Sequence, residues 1–359
     1  MTQPAPETIE REGSKLWITD AELIRWIGVP TVAVFDGTIG SLIRCYQTDP
    51  DSPFHKLRFK SRENYLSLMR RLRQDCGDEL LAEVKGRTVK HWHEGWMGTN
   101  GHVAMAHSLV GMLRTLLTFG TTLLEDPECL RLKGILGDMR FVMPKPRTQR
   151  ITADQVIAVR AKAHELGRHS LALAQALQFE CILRQKDVIG EWVPQSEPGI
   201  SEVVDGNLKW LRGLRWSEID DNLILKHTTS KRNKDVEVDL KLAPMVMEEF
   251  QRFAELPKAG PIVVYEKSGR PYDAVQFRKE WRLVATAAGV PETVYNMDSR
   301  AGAISEATDA GVPIEHVRHA ATHSNTSTTE RYSRNPAEKT ASVQIGRAEH
   351  RKNKIGGQA

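Results

Sequence analysis

Residues 297–334 read MDSRAGAISEATDAGVPIEHVRHAATHSNTSTTERYSR, a run that sets Arg300, His323 and Tyr332 on successive helices and turns. His323 and Tyr332 are separated by a Ser/Thr-rich turn. A guanidinium is a planar fork of donors that matches two oxygens of a phosphodiester, and an imidazole can donate to a third. Charge developing on phosphorus is then stabilised without a metal ion, and a tyrosine hydroxyl can attack. The stretch reads as a phosphate site that carries its own nucleophile.

Working back from it, an apolar helix over Leu171–Leu183 runs into Arg184-Gln185-Lys186-Asp187. A capping box, Thr152-Ala153-Asp154-Gln155, opens the helix before that. Residues 192–209 are polar, with prolines and glycines, and read as a loop insertion. Leu214–Ile219, Leu223–Leu225 and Val236–Leu240 read as short strands. The turn before the last of them, Thr228-Thr229-Ser230-Lys231-Arg232-Asn233-Lys234, is strongly basic. Helices are expected over 244–256 and 273–288, and a short strand over Ile262–Val264.

The first half lacks a strand pattern. Helices are expected over Thr38–Tyr46, from a cap at Ser61 through Tyr65, Leu68, Met69 and Leu72, over Thr88–Trp96, and over Val103–Phe119 with a wide apolar face. Lys56, Arg58, Lys60, Arg62, Arg70, Arg71 and Arg73 form its densest basic region. A solvated helix face is the plain reading of such a cluster, and a nucleic-acid contact the pointed one. Met143-Pro144-Lys145-Pro146-Arg147 onward, with two prolines and several cations, reads as a linker.

The 297–334 run resembles the C-terminal box of the tyrosine recombinases, the phage integrase family, whose pattern is H-x-x-R, an alanine-glycine corner, then H-x8-Y. Arg300, Ala310-Gly311, His323 and Tyr332 fall on it in register, and Arg184 with Asp187 resembles the family's first arginine box. The resemblance implies a mainly α fold with a small antiparallel β-sheet. Its parts would be an N-terminal extension (1–34), a helical core-binding domain that clasps DNA (35–143), a linker (144–151), an α+β catalytic domain (152–336) and a tail (337–359). It further implies Tyr332 as nucleophile, Arg184, Arg300 and His323 as transition-state stabilisers, and Lys231, with Lys234 as fallback, as the hairpin lysine that protonates the leaving oxygen. No cofactor or metal is implied. The implied partners are double-stranded DNA recombination sites, a homo-tetramer on two such sites, and an accessory directionality factor, in the cytoplasm on the nucleoid. Met297 stands where the family has its first histidine, Thr322 where it has a glycine, and the Arg184-to-Lys231 interval is long.

Composition is neutral on function: 50 Lys+Arg against 46 Asp+Glu leave a net charge of only +4. The four cysteines are widely spaced, without a C-x-x-C pair, so neither a zinc ribbon nor a disulfide framework is expected. The N-terminus is polar and no stretch looks apolar enough for a span, so secretion and membrane insertion are not expected. Walker, G-x-G-x-x-G and G-x-S-x-G motifs are absent. His316, His319 and His323 share a helical spacing, but no H-E-x-x-H pattern supplies a base beside a metal. His91 and His93 read as surface or packing residues. Two readings of the same chemistry stay open: a DNA-binding regulator that has lost catalysis, and a type IB topoisomerase-like enzyme.

Overall fold

The computed structural model describes residues 33–331 and 343–351; Tyr332, and with it part of the quoted run, lies outside the described residues. The chain divides into two compact units, Met1–Pro146 and Arg147–Ala359. The architecture is mainly α with small antiparallel sheets, as the sequence implies.

The first unit is a helical bundle of α1 (Ile39–Thr48), α2 (Phe59–Cys76), α3 (Gly86–Met97), α4 (Val103–Thr122) and α5 (Pro127–Asp138). Thr38 caps α1 by accepting the Ser41 amide at 3.1 Å. Ser61 is not the cap of α2. That helix starts at Phe59 without a side-chain cap, and its entry is held by Arg62, which donates to the Leu57 carbonyl at 2.6 Å. Leu68, Met69, Leu72 and Cys76 form its buried face, while Arg70, Arg71 and Arg73 are exposed. Helix α5 is absent from the sequence reading although its start is legible: Asp126 accepts the Cys129 amide at 2.8 Å and Pro127 takes the first turn. At 20 residues α4 is, against expectation, long and apolar enough to cross a membrane. Its position explains the composition, since it packs on α1, α2, α3 and α5 and buries Leu109, Val110, Leu113, Leu116 and Leu117. His93 is buried against the Phe141 ring, a packing role.

The second unit is built around α7 (His169–Glu180), where every residue from Leu171 to Phe179 is buried. Around it lie α6 (Ala153–Glu165), α9 (Pro244–Phe250) and α11 (Asp298–Asp309). The Thr152–Gln155 capping box is present, with both reciprocal bonds formed. The stretch read as linker is fastened from Arg147 on. Arg147 grips Asp298, Arg150 reaches Asp309 at 3.2 Å, and Ile151 is fully buried.

Residues 192–209 are not a loop. They contribute to a three-stranded antiparallel sheet of β1 (Glu191–Pro194), β2 (Val204–Asp205) and β3 (Leu208–Leu211), in the order β1-β3-β2. What hid the sheet is that its polar groups are satisfied locally: Lys209 donates to the carbonyls of Glu197 at 2.5 Å and Gly199 at 2.6 Å. Trp210 is fully buried and donates to Ile189 O at 2.8 Å. Leu214–Ile219 is likewise not a strand, because the Glu218 carboxylate accepts the Arg215 amide at 2.8 Å and closes a 3-10 turn over Trp216–Glu218. The hairpin forms from β4 (Ile224–Thr228) and β5 (Asp235–Asp239), pairing Leu225 with Val238 and His227 with Val236.

Helix α9 stops at Phe250, short of the expected 256. The strand expected over Ile262–Val264 is shifted to β6 (Val264–Tyr265), paired with β7 (Arg270–Pro271). Asp273 caps α10 (Ala274–Ala287). After α11 come α12 (Ile314–Ala320) and α13 (Thr326–Glu330); residues 343–351 are also helical.

Helix α11 lies directly on the backbone that leads into α6. A Cβ at Gly302 would sit 2.1 Å from the Ile151 carbonyl oxygen, and a main-chain atom cannot rotate away. Gly302→Ala should therefore destabilise the second unit by about 2 kcal/mol or more through forced backbone displacement. Thermal unfolding checks this: an unchanged midpoint would mean that the two backbones are not in contact.

Candidate active site

The start of α11 is set by Asp298, which is buried. Its carboxylate accepts a bidentate grip from Arg147, at 2.6 Å from Nε and 2.5 Å from a terminal nitrogen, and also the Tyr295 amide at 2.7 Å. Two residues on, Arg300 projects into the unit and is only 7% exposed. It donates to the carbonyl of Ile182 at 2.7 Å and to that of Ala321. These carbonyls lie two residues before Arg184 and two before His323, so one guanidinium ties together the segments that carry Arg184, Arg300 and His323.

Arg184 occupies the N-cap of α8 (Gln185–Ile189). Its amide donates to Asp187 at 3.3 Å, and the other oxygen of that fully buried carboxylate accepts the Ser230 amide at 2.7 Å. Asp187 thus pins the tip of the β4–β5 hairpin beside Arg184. The Arg184 side chain stands 3.7 Å from Asp187, and among the described residues its buried Nη1 has no hydrogen-bond partner. A buried cationic donor left in this way fits an acceptor arriving from outside the chain. The hairpin tip is closed by Thr229, which accepts the Lys234 amide and donates to the Lys234 carbonyl at 3.0 Å.

His323 is buried, and its Nδ1 lies 3.0 Å from the hydroxyl of the fully buried Thr329. Burial, then the charges of Arg300, Arg184, Arg232 and Lys234, hold its pKa down to about 4. The ring is therefore neutral at neutral pH. When the Thr329 hydroxyl donates to Nδ1, the remaining proton sits on Nε2, the tautomer that donates to an anion.

Arg184, Arg300, His323 and Lys231 line one cleft of about 390 Å³ together with Gln185, Lys186, Arg232, Met297, Thr322, Ser324 and Thr328. No carboxylate is among these residues. The fallback Lys234 does not line the cleft. Lys186 is engaged by Glu191 at 2.5 Å. Met297 presents a thioether, which neither donates strongly nor carries a proton. Its sequence neighbours, the nearest candidates to compensate for it, do not line the cleft. Tyr295 lies under the Arg147 guanidinium at 4.3 Å, and buried Asn296 donates to Gln175 at 3.3 Å. His316 and His319 are exposed on α12 and do not line the cleft. Arg232 and the Thr329 support of His323 escaped the sequence reading. Arg232 was visible as one more cation in a basic turn, but nothing in the sequence aimed it.

Thr322 adopts φ 51°, the left-handed region where L-residues other than glycine, asparagine and aspartate are costly. The family's glycine preference at this position thus has a backbone cause, which this chain tolerates.

No protein-family model and no curated protein matches the sequence. Solved structures do match in fold. A lambda integrase dimer bound to a COC′ core site superposes with TM-score 0.62 at 16% identity, covering 82% of this chain and 77% of that one. A lambda integrase tetramer bound to a Holliday junction gives 0.60 at 15% identity, with the same coverage. The Tn1549 transposon integrase (residues 82–397, Y379F) in complex with transposon right end DNA gives 0.58 at 16% identity, covering 87% of this chain and 99% of that one. The chain has the fold of the tyrosine recombinases.

Two outcomes follow from this geometry. Thr322→Gly should relieve the left-handed strain and stabilise the protein by about 1 kcal/mol, raising the thermal midpoint by roughly 2–4 °C; a lower midpoint would mean that the threonine side chain contributes more by packing. For His323 the ordinary pKa of 6.5 falls to about 4 on folding, so between these values the unfolded chain binds the extra proton. Stability should therefore decline as pH drops from about 6.5 to about 4. His323→Gln should flatten that part of the midpoint-against-pH curve, and superimposable curves would contradict the depressed pKa.

Proposed function

We propose that this chain is a site-specific DNA recombinase of the integrase type, which cuts and rejoins DNA strands through a 3′-phosphotyrosyl intermediate. The observation that carries the reading is the acid-free cleft on which Arg184, Lys231, Arg300 and His323 converge from four separate segments of an integrase fold. In this reading the Tyr332 hydroxyl gives up its proton to solvent water as its oxygen attacks the scissile phosphorus, the bond to the 5′ oxygen breaks, and Lys231 donates the proton that the leaving oxygen needs. Arg184 and Arg300 offset charge on the non-bridging oxygens, and neutral His323 donates a hydrogen bond to one of them. The phosphotyrosyl ester retains the energy of the broken bond, so the free 5′-hydroxyl of a partner strand can reverse the step without ATP.

The partners of this reading are double-stranded recombination sites and further copies of the chain. Its structural neighbours were solved as an integrase dimer on a core site and a tetramer on a Holliday junction. Four protomers on two sites, aided by a directionality factor and acting on the nucleoid, complete the proposal. Met297 favours one alternative, a DNA-binding regulator of the same fold without cleavage activity, since it removes one donor from the cleft.

A nicked suicide substrate separates the two. Wild-type protein should accumulate an SDS-resistant adduct, equally well in EDTA, and Tyr332→Phe should bind the site but form none. Site binding without any wild-type adduct would favour the regulator. An adduct from the Phe variant would rule out Tyr332, and loss of cleavage in EDTA would point to a metal.

A further inference from the structure

We infer that Arg232, at the tip of the β4–β5 hairpin, is a further phosphate-binding residue and takes over the contact that a histidine at position 297 would make; this rests on reading the cleft as a phosphodiester-cleaving site.

Two of the Arg300 nitrogens hold the carbonyls of Ile182 and Ala321. Lys186 is drawn to Glu191 at 2.5 Å, while Arg184, 3.7 Å from Asp187, keeps a buried Nη1 unpaired among the described residues. Met297 lines the cleft with a group that cannot donate. Arg232 lines the same cleft and is exposed, and among the described residues no acceptor holds its guanidinium. It offers the cleft a whole guanidinium fork that is not engaged among the described residues.

An exposed arginine on a loose loop would lose much of its binding free energy to ordering. Arg232 instead lies two residues from Ser230, whose amide is fixed at 2.7 Å to the fully buried Asp187. The far side of the turn is closed where Thr229 bonds Lys234 and where Asn233, at φ 49°, donates its amide to the Thr229 carbonyl at 3.0 Å. The backbone under Arg232 is therefore held at both ends. Its charge also reaches the centre of the site: after burial, Arg300 and Arg184, Arg232 is the next cause of the depressed pKa of His323.

An arginine stays protonated throughout, so Arg232 can stabilise charge on a non-bridging oxygen but cannot shuttle a proton as a histidine would. Lys231, the adjacent residue, is of the type that can donate a proton to the leaving oxygen. The hairpin tip thus presents a fixed charge and a proton donor side by side.

Single-turnover cleavage of the suicide substrate at saturating protein tests this with wild type, Arg232→Ala, Arg232→Lys, Met297→His and the Arg232→Ala/Met297→His double variant. Arg232→Ala should slow cleavage by ~10²-fold, the usual loss for one preorganised donor, while site affinity changes far less. Arg232→Lys should recover only part, because an ammonium lacks the fork. Met297→His should speed the Arg232→Ala protein at least ~10-fold more than it speeds wild type, the signature of two residues serving one contact. A rate for Arg232→Ala within about threefold of wild type, or an equal gain from Met297→His in both backgrounds, overturns the inference. Failure of wild type to form any adduct would instead sink the recombinase reading. The Arg232 contact is then judged by titrating inorganic phosphate against the His323 imidazole resonances: weakening by about tenfold in Arg232→Ala supports it, and equal affinity overturns it.

Discussion

The site depends on the way one buried guanidinium divides its hydrogen bonds between two distant main-chain carbonyls. Arg300 takes Ile182 on one side and Ala321 on the other, and by doing so fixes where Arg184 and His323 leave their turns. Both turns use left-handed backbone, φ 53° at Ile182 and φ 51° at Thr322, each a β-branched residue that resists it. Strain of about 1–2 kcal/mol at each position is tolerable where a charge-assisted bond in a buried setting holds the turn. Arg300 therefore has a structural role independent of any ligand.

Acids in this region stand behind the cleft. Asp298 receives Arg147 and the Tyr295 amide, Asp187 receives the amides of Arg184 and Ser230, and Glu191 draws Lys186 and Arg212. Each carboxylate positions backbone or a cation without lining the cleft, so the field inside stays positive. Burial first, and then this positive charge, hold the pKa of His323 down and keep the imidazole a neutral donor at neutral pH. An anion entering the cleft meets charge whose solvation cost was met during folding, which is the physical content of preorganisation.

Met297 follows two residues that are built into the unit. Tyr295 lies under the guanidinium groups of Arg147 and Arg282, and Asn296 belongs to a buried polar network with Gln175, Gln178 and Trp281. Met297 itself is exposed, and its thioether cannot donate. The contact it forgoes can come from the hairpin, whose tip is already anchored for Lys231.

By itself the sequence determined the local elements with strong chemical punctuation: the Thr152–Gln155 capping box, the helix expected from Thr38, and the period-2 strand read at Val236–Leu240, which forms one residue earlier over Asp235–Asp239. It also fixed which residue types could meet a phosphate. Tertiary structure decided what depends on satisfied polar groups far apart in the chain. The 192–209 segment is sheet because Lys209 and Trp210 find carbonyl acceptors, and the strand expected over Leu214–Ile219 is a turn because Glu218 caps Arg215. Lys231 rather than Lys234 faces the cleft, with Arg232 beside it, because Asp187, 43 residues from Ser230, sets the hairpin tip. Hydrophobic period and capping chemistry are short-range and can be read along the chain, whereas a buried carboxylate chooses its partner in space.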